Sequence, residues 1–504
     1  MEFEALFLEK ADRQKFQMFQ IFTAFNAESL TVADLAARMD QSYQMTYNVF
    51  QELATDMGGI LKVTPAQAKK RLMARAAFPF TVDEYRLYLM ERSIAFQFID
   101  YLLQGNRPTT DHFTAEHFIS RSTLTRKTAP LRKFLQRYQL KLSVTQPALL
   151  GPEPQIRLFL GTLYWLTYHG IRWPFVSISE ATIAREYREL ASARREPLMA
   201  LQEIQFWGLC RVRIAHGNYV RDVQLIDELF ADCPLFAAPS YDPKLFFNAP
   251  ADVPHAEQRF FCFLQQKTII FTPPSRTDRA LYEFFKQQNG PVWQFATGLL
   301  DHLRALSGAN LSPEALAQTQ VPLNVMRFAC SFVIMNGDYV KLSDFFVPQE
   351  ITYQQSHLRD VLADYLRNLP STEFNRVLKR TPCVLDMLFY LFAPFLRYLH
   401  WDETVAVKVQ LDANDFLNHA VLDFLDNLPI VRRVAASAPA PDLVLTTPED
   451  AAATTRNETI FDWHVDGDHH RLLRALSHGV EPLSAKADSR PHRHNKMTAT
   501  ANSR

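Results

Sequence analysis

The sequence predicts a mainly α-helical protein with winged helix-turn-helix units at its start, two helical-bundle domains and a small C-terminal α/β domain. Apolar residues recur at helical spacing through most of the 504 residues. Glycine occurs only 14 times, which disfavours the doubly wound nucleotide-binding folds that need glycine at their turns. Hydrophobic residues make up 47% and charged residues 21%, the composition of a protein with folded cores.

The first two helical segments carry clear apolar faces. Residues 1–25 are predicted to be helical because Phe16, Phe19, Phe22 and Phe25 repeat at a spacing of three. In the next segment Thr31 is the expected N-cap of a short helix, with Asp34 three residues later. A break at 40–42 and a longer helix complete a helix-turn-helix pattern. The apolar stripe of that longer helix consists of Met45, Val49, Leu53 and Met57. We expect Gly58 and Gly59 to end it and residues 60–63 to form a short strand.

A second helix-turn-helix follows. We expect one amphipathic helix from Tyr85 to Leu103, a short helix capped by Thr114, a break at 120–121, and a helix capped by Ser122. The buried stripe of this last helix consists of Leu124, Thr128, Leu131, Leu135 and Tyr138. Pro130 lies inside it and should kink or split it near Thr128. Residues 140–144 and 148–151 fit the two strands of a wing.

Helical periodicity continues from residue 155 to about 400, and loop signals divide it into two bundles. Alternation at 405–411, a helix at 415–427 and apolar runs at 430–434 and 443–445 indicate a small α/β domain. The predicted domain boundaries are 1–75, 76–154, 155–285, 286–402 and 403–482, with a disordered tail at 483–504.

The charge is unevenly distributed along a chain whose formal net charge is zero. Residues 107–141 carry eight cations against Asp111 and Glu116, a net charge of +6. Cations and hydroxyls around the start of a second helix suit phosphate and base contacts in a major groove, so this segment predicts binding to double-stranded DNA. The alternative is a solvated face on a helical hairpin. The candidate contact residues are Ser120, Arg121, Ser122, Thr123, Thr125, Arg126, Lys127, Lys133, Arg137 and Lys141.

The first helix-turn-helix has the opposite charge. Residues 26–57 sum to −4, which disfavours contact with phosphates. A DNA-binding role and a structural or dimerisation role both stay open for it.

Signatures of other classes are missing from the sequence. It has no phosphate-binding glycine loop, no His-Glu-x-x-His and no Gly-x-Ser-x-Gly, so we expect no enzyme activity and no cofactor. The five cysteines lack the close spacing of a zinc site, and His464, His469 and His470 fit a solvated polar turn better than a metal site. We expect no signal peptide and no membrane span.

The string SRSTLTRK at 120–127, with Leu131 and Leu135, resembles the helix-turn-helix of the Mga family of bacterial transcription regulators. Residues 151–157 are similar to the family's junction after the wing. Residues 163–165 and 173–175 are similar to its entry into the next helical domain. The domain order also resembles the family plan over nearly the whole chain.

The resemblance implies a cytoplasmic, dimeric DNA-binding regulator, often an activator. Its helical domains would be similar to phosphotransferase-system regulation domains, in which phosphorylation of histidine tunes activity. The candidate regulatory histidines are His216, His302, His357 and His400. The C-terminal domain would resemble a phosphotransferase IIB unit, but no cysteine follows Cys383, so an oligomerisation or sensing role is expected. The second hypothesis is a protein that does not bind DNA and whose helical domains bind a phosphotransferase-system phosphocarrier.

Overall fold

The computed structural model is mainly helical and confirms the predicted fold class. It describes residues 3–24, 30–74, 80–105, 108–190, 197–236, 243–246, 249–307, 319–345, 353–393, 405–411, 415–426, 428, 431–435, 441–446 and 460–462. Two compact units divide the chain. The first contains residues 1–269, 279–284 and 327–348, and the second contains residues 270–278, 285–326 and 349–504.

The N-terminal segment forms two helices where one helical segment was expected. Helix α1 spans Glu4–Phe7 and α2 spans Lys10–Ala24, and the chain is extended at Leu8 between them. The predicted aromatic face is correct, because Phe16, Phe19 and Phe22 are all buried. Phe25 lies outside the described residues.

The first helix-turn-helix consists of α3 (Val32–Arg38) and α4 (Tyr43–Leu61). The Thr31 side chain accepts a hydrogen bond from the Asp34 backbone N–H, and the Asp34 carboxylate accepts one from the Thr31 N–H, which confirms the predicted capping box. Val49, Leu53 and Met57 are buried as expected, but Met45 is 45% exposed.

The predicted strand at 60–63 is wrong, because α4 continues through both glycines to Leu61 and helix α5 (Pro65–Ala74) follows. A Cβ atom on Gly58 would lie only 2.9 Å from the Val63 carbonyl oxygen. Glycine therefore serves here as a small residue that lets the chain fold back closely over the helix, and not as a helix terminator.

The single helix predicted from Tyr85 to Leu103 is also wrong, since the structure has α6 (Val82–Met90) and α7 (Ile94–Gln104). Ser93 separates them. Its hydroxyl accepts a hydrogen bond from the Phe96 N–H and donates one to the Phe7 carbonyl oxygen at 2.6 Å. This contact with a residue 86 positions earlier in the chain stabilises the break.

The winged unit contains three short helices and a β-hairpin. Helices α8 (Thr110–Glu116), α9 (Arg121–Lys127) and α10 (Ala129–Leu135) precede a 3₁₀ turn at Gln136–Tyr138. Strands β1 (Lys141–Ser143) and β2 (Ala148–Leu150) pair antiparallel with Leu142 opposite Leu149, which confirms the wing.

Helices dominate the rest of the first 400 residues. They are α11 (Glu153–Tyr168), α12 (Glu180–Leu190), α13 (Pro197–Ala215), α14 (Gln224–Leu229), α15 (Val253–Gln266), α16 (Arg276–Gln288), α17 (Pro291–Ser307), α18 (Val321–Ile334), α19 (Tyr353–Asn368), α20 (Glu373–Arg380) and α21 (Cys383–Phe392), with 3₁₀ turns at Pro234–Phe236, Pro243–Phe246 and Leu342–Phe345. The domain boundaries given above stay predictions.

A buried network of charges holds the start of α11. The Arg157 guanidinium and the Glu257 carboxylate have no exposed side-chain area, and two hydrogen bonds of 2.7 Å join them. Glu153 accepts from Arg157 at 2.9 Å and from Arg213 at 2.6 Å, and the Asn218 carbonyl accepts from Arg157 at 3.0 Å. Burial works against the charged form of Arg157, but the Glu257 carboxylate outweighs it, so the pKa of Arg157 is raised.

The C-terminal segment contains strands and a helix, as expected for the predicted small α/β domain, and its strands form a parallel sheet. Its elements are β3 (Val405–Gln410), α22 (Asp415–Asp426), β4 (Val431–Val434), β5 (Leu443–Thr446) and β6 (Ile460–Asp462). The strand order is β4-β3-β5-β6, and every described pairing is parallel. The core residues of this sheet are Val405, Val407, Val421, Leu425, Leu443 and Leu445. The predicted tail, together with His464, His469 and His470, lies outside the described residues.

The charge network predicts a large effect of Glu257→Gln on stability. This change leaves the buried Arg157 charge without its main partner, and we expect a cost of about 3 to 5 kcal/mol. The measurement is the free energy of unfolding in urea. The double variant Arg157→Met with Glu257→Met should be less destabilised than Glu257→Gln, because it removes both charges. A single variant as stable as the wild type would contradict the role given to this pair.

Candidate nucleic-acid interface

Helix α9 is held at its start by Ser120. The Ser120 hydroxyl accepts a hydrogen bond from the Thr123 N–H at 3.1 Å and contacts the Ser122 and Thr123 hydroxyls at 2.8 and 2.9 Å. The predicted caps are both wrong in position, because Ser120 and not Ser122 caps α9, and Thr109 and not Thr114 caps α8. A serine N-cap stabilises a helix when its side-chain oxygen accepts from the backbone N–H two or three residues on, and Ser120 meets this condition.

The turn between α8 and α9 exposes an aromatic side chain. Phe118 has a left-handed backbone with φ of +52° and is 95% exposed. The Ile119 N–H donates to the Thr114 carbonyl oxygen at 3.0 Å, which closes the turn. A left-handed conformation strains any residue with a Cβ atom, so this turn stores a small amount of energy.

The buried side of α9 and α10 matches the prediction. Leu124, Thr128, Leu131, Leu135 and Tyr138 are each 0% exposed. The expected effect of Pro130 is confirmed, since α9 ends at Lys127, α10 begins at Ala129, and the proline lies in the first turn of α10, where no N–H is needed. The Thr128 hydroxyl donates to the Leu124 carbonyl oxygen at 2.9 Å across this junction.

The predicted contact residues lie mostly on the solvent side. The exposed residues among them are Ser120, Arg121, Ser122, Thr125, Arg126, Lys133, Arg137 and Lys141, whereas Thr123 and Lys127 are half-buried. Arg107, counted in the basic segment, lies outside the described residues. Solvent-exposed hydroxyls and cations therefore cover the face of α9 opposite Leu124.

Of the three cations on α9, two have carboxylate partners among the described residues and one does not. Arg121 donates to Asp111 at 2.5 Å, and Lys127 pairs with Glu9 at 2.8 Å. The hydrogen bond from Lys127 lowers the pKa of Glu9 below its ordinary value, and the charge of Arg126 contributes. Across the described ranges, Arg126 has no ion pair, so its guanidinium faces solvent.

The structure adds a cationic cleft that sequence reasoning missed. Five cations line a cavity of about 290 Å³ at the end of α9, together with two carboxylates, Glu9 and Asp12. The cations are Lys10, Arg13, Arg92, Arg126 and Lys127. The N-terminal ends of α2 and α7 also meet there, and the Arg13 Nε is buried without a hydrogen-bond partner among the described residues. No local charge run marks Lys10, Arg13 and Arg92, because they come from segments about 35 to 115 positions distant from α9.

The first helix-turn-helix presents a different surface. Tyr43 is 58% exposed at the start of α4 and stacks on Tyr47, with ring centroids 6.5 Å apart. The Lys69 Nζ lies 5.1 Å from the Tyr47 ring centroid. The DNA-binding and the structural interpretation of this unit both stay predictions.

The candidate regulatory histidines occupy different environments. His216 is exposed just after α13, and His302 is half-buried with its Nε2 lacking a hydrogen-bond partner within the described ranges. His357 lies in α19, and His400 lies outside the described residues. Two other histidines of the region from residue 155 onward have carboxylate partners: His169 contacts Asp83 at 2.9 Å, and His255 contacts Asp227 at 3.0 Å.

The helix, turn, second helix and β-hairpin at 110–150 define a winged helix-turn-helix, a class of DNA-binding domain. Residues 79–164 match the family model of the Mga helix-turn-helix domain, which confirms the resemblance over this segment. The protein is a DNA-binding transcription regulator. No curated protein matches the chain significantly. Within the described ranges, no helix combines the length and the apolar character needed to span a bilayer.

The strained turn predicts that Phe118→Gly stabilises the protein. Glycine adopts the left-handed backbone without a Cβ penalty, so we expect a gain of about 1 kcal/mol, seen as a higher melting temperature. Phe118→Ala keeps the Cβ atom and serves as the control, with little change expected. An equal or lower melting temperature for Phe118→Gly would show that this turn is not strained.

Proposed function

We propose that the protein recognises specific sites in duplex DNA by placing α9 in the major groove. The observation that carries this proposal is the exposed face of α9, where Ser122, Thr125 and Arg126 lie opposite the buried Leu124. Arg126 is the main candidate for reading a base, because an unpaired guanidinium can donate two hydrogen bonds to guanine. Ser122 and Thr125 can bind either bases or phosphates.

The remaining cations suit the phosphate backbone. Lys133, Arg137 and Lys141 are exposed on α10, the 3₁₀ turn and the wing. Arg121 and Lys127 would exchange Asp111 and Glu9 for phosphate oxygens, which is favourable at low salt. These contacts would position the protein on DNA without reading sequence.

The cationic cleft extends the proposed footprint beyond the winged unit. It shares Arg126 and Lys127 with α9 and adds Lys10, Arg13 and Arg92 from the N-terminal helices. With five cations against two carboxylates, the cleft favours a phosphate group. We assign it to the backbone that flanks the bases read by α9.

The resemblance to the Mga family supports further parts of the proposal. The protein would act in the cytoplasm as a homodimeric activator that reads paired half-sites. Phosphorylation of a histidine by a phosphotransferase-system phosphocarrier would tune its activity by adding negative charge. Of the four histidines chosen from the sequence, His216 is exposed and so accessible to a phosphocarrier.

The role of α9 predicts that Arg126→Ala weakens DNA binding strongly. Loss of one base contact should lower affinity for a specific duplex by about 10- to 100-fold, corresponding to roughly 1 to 3 kcal/mol. The measurement is fluorescence anisotropy with a labelled duplex chosen from genome-wide occupancy. Arg185→Ala, which removes an exposed cation from α12, is the control and should bind like the wild type. Equal affinity of Arg126→Ala and the wild type would remove α9 from the interface.

The same measurement tests the second hypothesis. A wild-type protein whose DNA affinity does not depend on salt would favour the phosphocarrier-binding alternative.

The cleft makes a separate prediction about salt. Lys10→Ala with Arg13→Ala should reduce the slope of log affinity against log salt by about 2, because each lost phosphate contact lowers it by nearly 1. The reduction should be the same for specific and random duplexes. Arg185→Ala with Arg188→Ala removes the same charge from α12 and should leave the slope unchanged. An unchanged slope in the Lys10 and Arg13 variant would take the cleft out of the footprint while leaving α9 in it.

A further inference from the structure

A second cavity lies on another side of the winged unit, where β2 meets the helices behind it. Its volume is about 490 Å³, within the range of roughly 300–1,000 Å³ typical of small-molecule sites. Residues of α7, β2, α11 and the end of α13 line it together. All of these elements belong to the first compact unit.

The floor and one side of this cavity are apolar. Ile99, Leu103 and Leu160 form part of the lining and are each no more than 2% exposed. Leu102 of α7 and Leu149 of β2 are half-buried beside them. Such a surface gains free energy when an apolar group displaces water from it.

The opposite side is polar but carries little net charge. Arg213 is buried there, and its Nε and Nη2 already donate to Glu153, which neutralises its charge. His216 and Asn218 complete this side just after α13 ends at Ala215. The C-terminal end of a helix has a partial negative charge, which works against an anion. The Asn218 Nδ2 donates a long hydrogen bond of 3.5 Å to the His216 carbonyl oxygen. Among the described residues the His216 ring and the Asn218 Oδ1 have no hydrogen-bond partner, and these groups favour a neutral polar group.

We propose that this cavity binds an uncharged small molecule with an apolar body and a hydrogen-bonding head. The body would pack on Leu103, Leu149 and Leu160, and the head would bind His216 and Asn218. Because β2 forms one wall, the bound molecule would also influence the wing. This influence on DNA binding rests on the function proposed above, whereas the binding itself does not.

Nile red, an uncharged apolar dye with a carbonyl acceptor, is a suitable probe for the full-length protein. We expect saturable fluorescence enhancement with one site per chain. Ala215→Trp places a large ring at the rim of the cavity and should weaken dye binding at least tenfold. Ala251→Trp, at an exposed turn position before α15, is the matched control and should bind the dye like the wild type. Equal dye binding by Ala215→Trp and the wild type would overturn the proposal.

Covalent modification of a cysteine placed in the cavity tests dye binding at this site separately from folding. Ala215→Cys should bind Nile red normally and lose binding after reaction with N-ethylmaleimide, while wild type treated in the same way keeps it.

The anionic dye 1-anilinonaphthalene-8-sulfonate should bind more weakly than Nile red at this site, and tighter binding would refute the uncharged ligand class. In the presence of duplex DNA the affinity for Nile red should change, because coupling between two sites is reciprocal. Normal dye binding with no such change would refute only the influence on the wing.

Discussion

The buried ion pair between Arg157 and Glu257 is the interaction on which the arrangement of the first unit depends. Removing both charges from water is costly, and two further acceptors help to offset the cost, because the Glu153 carboxylate and the Asn218 carbonyl also accept from the guanidinium. Glu153 is in turn paired with Arg213. Those groups come from α11, α13 and the turn that follows, while Glu257 comes from α15. Because α11 begins three residues after β2 ends, the pair also fixes the base of the wing. The orientation of the DNA-binding unit against the following helices therefore depends on a neutral cluster of charges and not on apolar packing alone.

The number of cations near α9 exceeds the number available for new contacts. Arg121 and Lys127 are already paired with Asp111 and Glu9, so binding to phosphate must replace existing ion pairs. Exposed pairs of this kind contribute little to stability, typically about 0 to 1 kcal/mol, so the exchange costs little. The cations nevertheless differ in whether they must give up a carboxylate partner. Contacts made through Arg126 need no exchange, and this difference ranks the residues of a segment that the sequence presents as uniformly basic.

Features set by local sequence were predictable, and features set by distant contacts were not. The buried stripe from Leu124 to Tyr138, the split at Pro130 and the β-α-β order of the C-terminal domain follow from periodicity and from the missing proline N–H. The break at Ser93 depends on a bond to Phe7. The end of α4 was missed for a local reason, since the left-handed residue that ends it is Lys62 and not a glycine, and Gly58 instead allows close approach of Val63. The predicted N-cap of α9 was wrong because Ser120 and Ser122 are both suitable residues. Only the geometry of the turn selects between them. The cationic cleft could not be predicted, because it gathers residues from three separate parts of the chain.

The split at Pro130 also limits how much DNA one chain can read with the proposed recognition helix. Helix α9 has seven residues, so its length is about 10 Å at roughly 1.5 Å per residue. That length corresponds to about three base pairs at roughly 3.4 Å each. Each position contributes about 1 to 3 kcal/mol of discrimination, which is too little for one site to be selected from a genome. A regulator built on this helix needs further contacts that read bases, because phosphate contacts from the wing and the cationic cleft add affinity without adding discrimination. The paired half-sites proposed above would supply such contacts, and the shortness of α9 is the physical reason why they are needed.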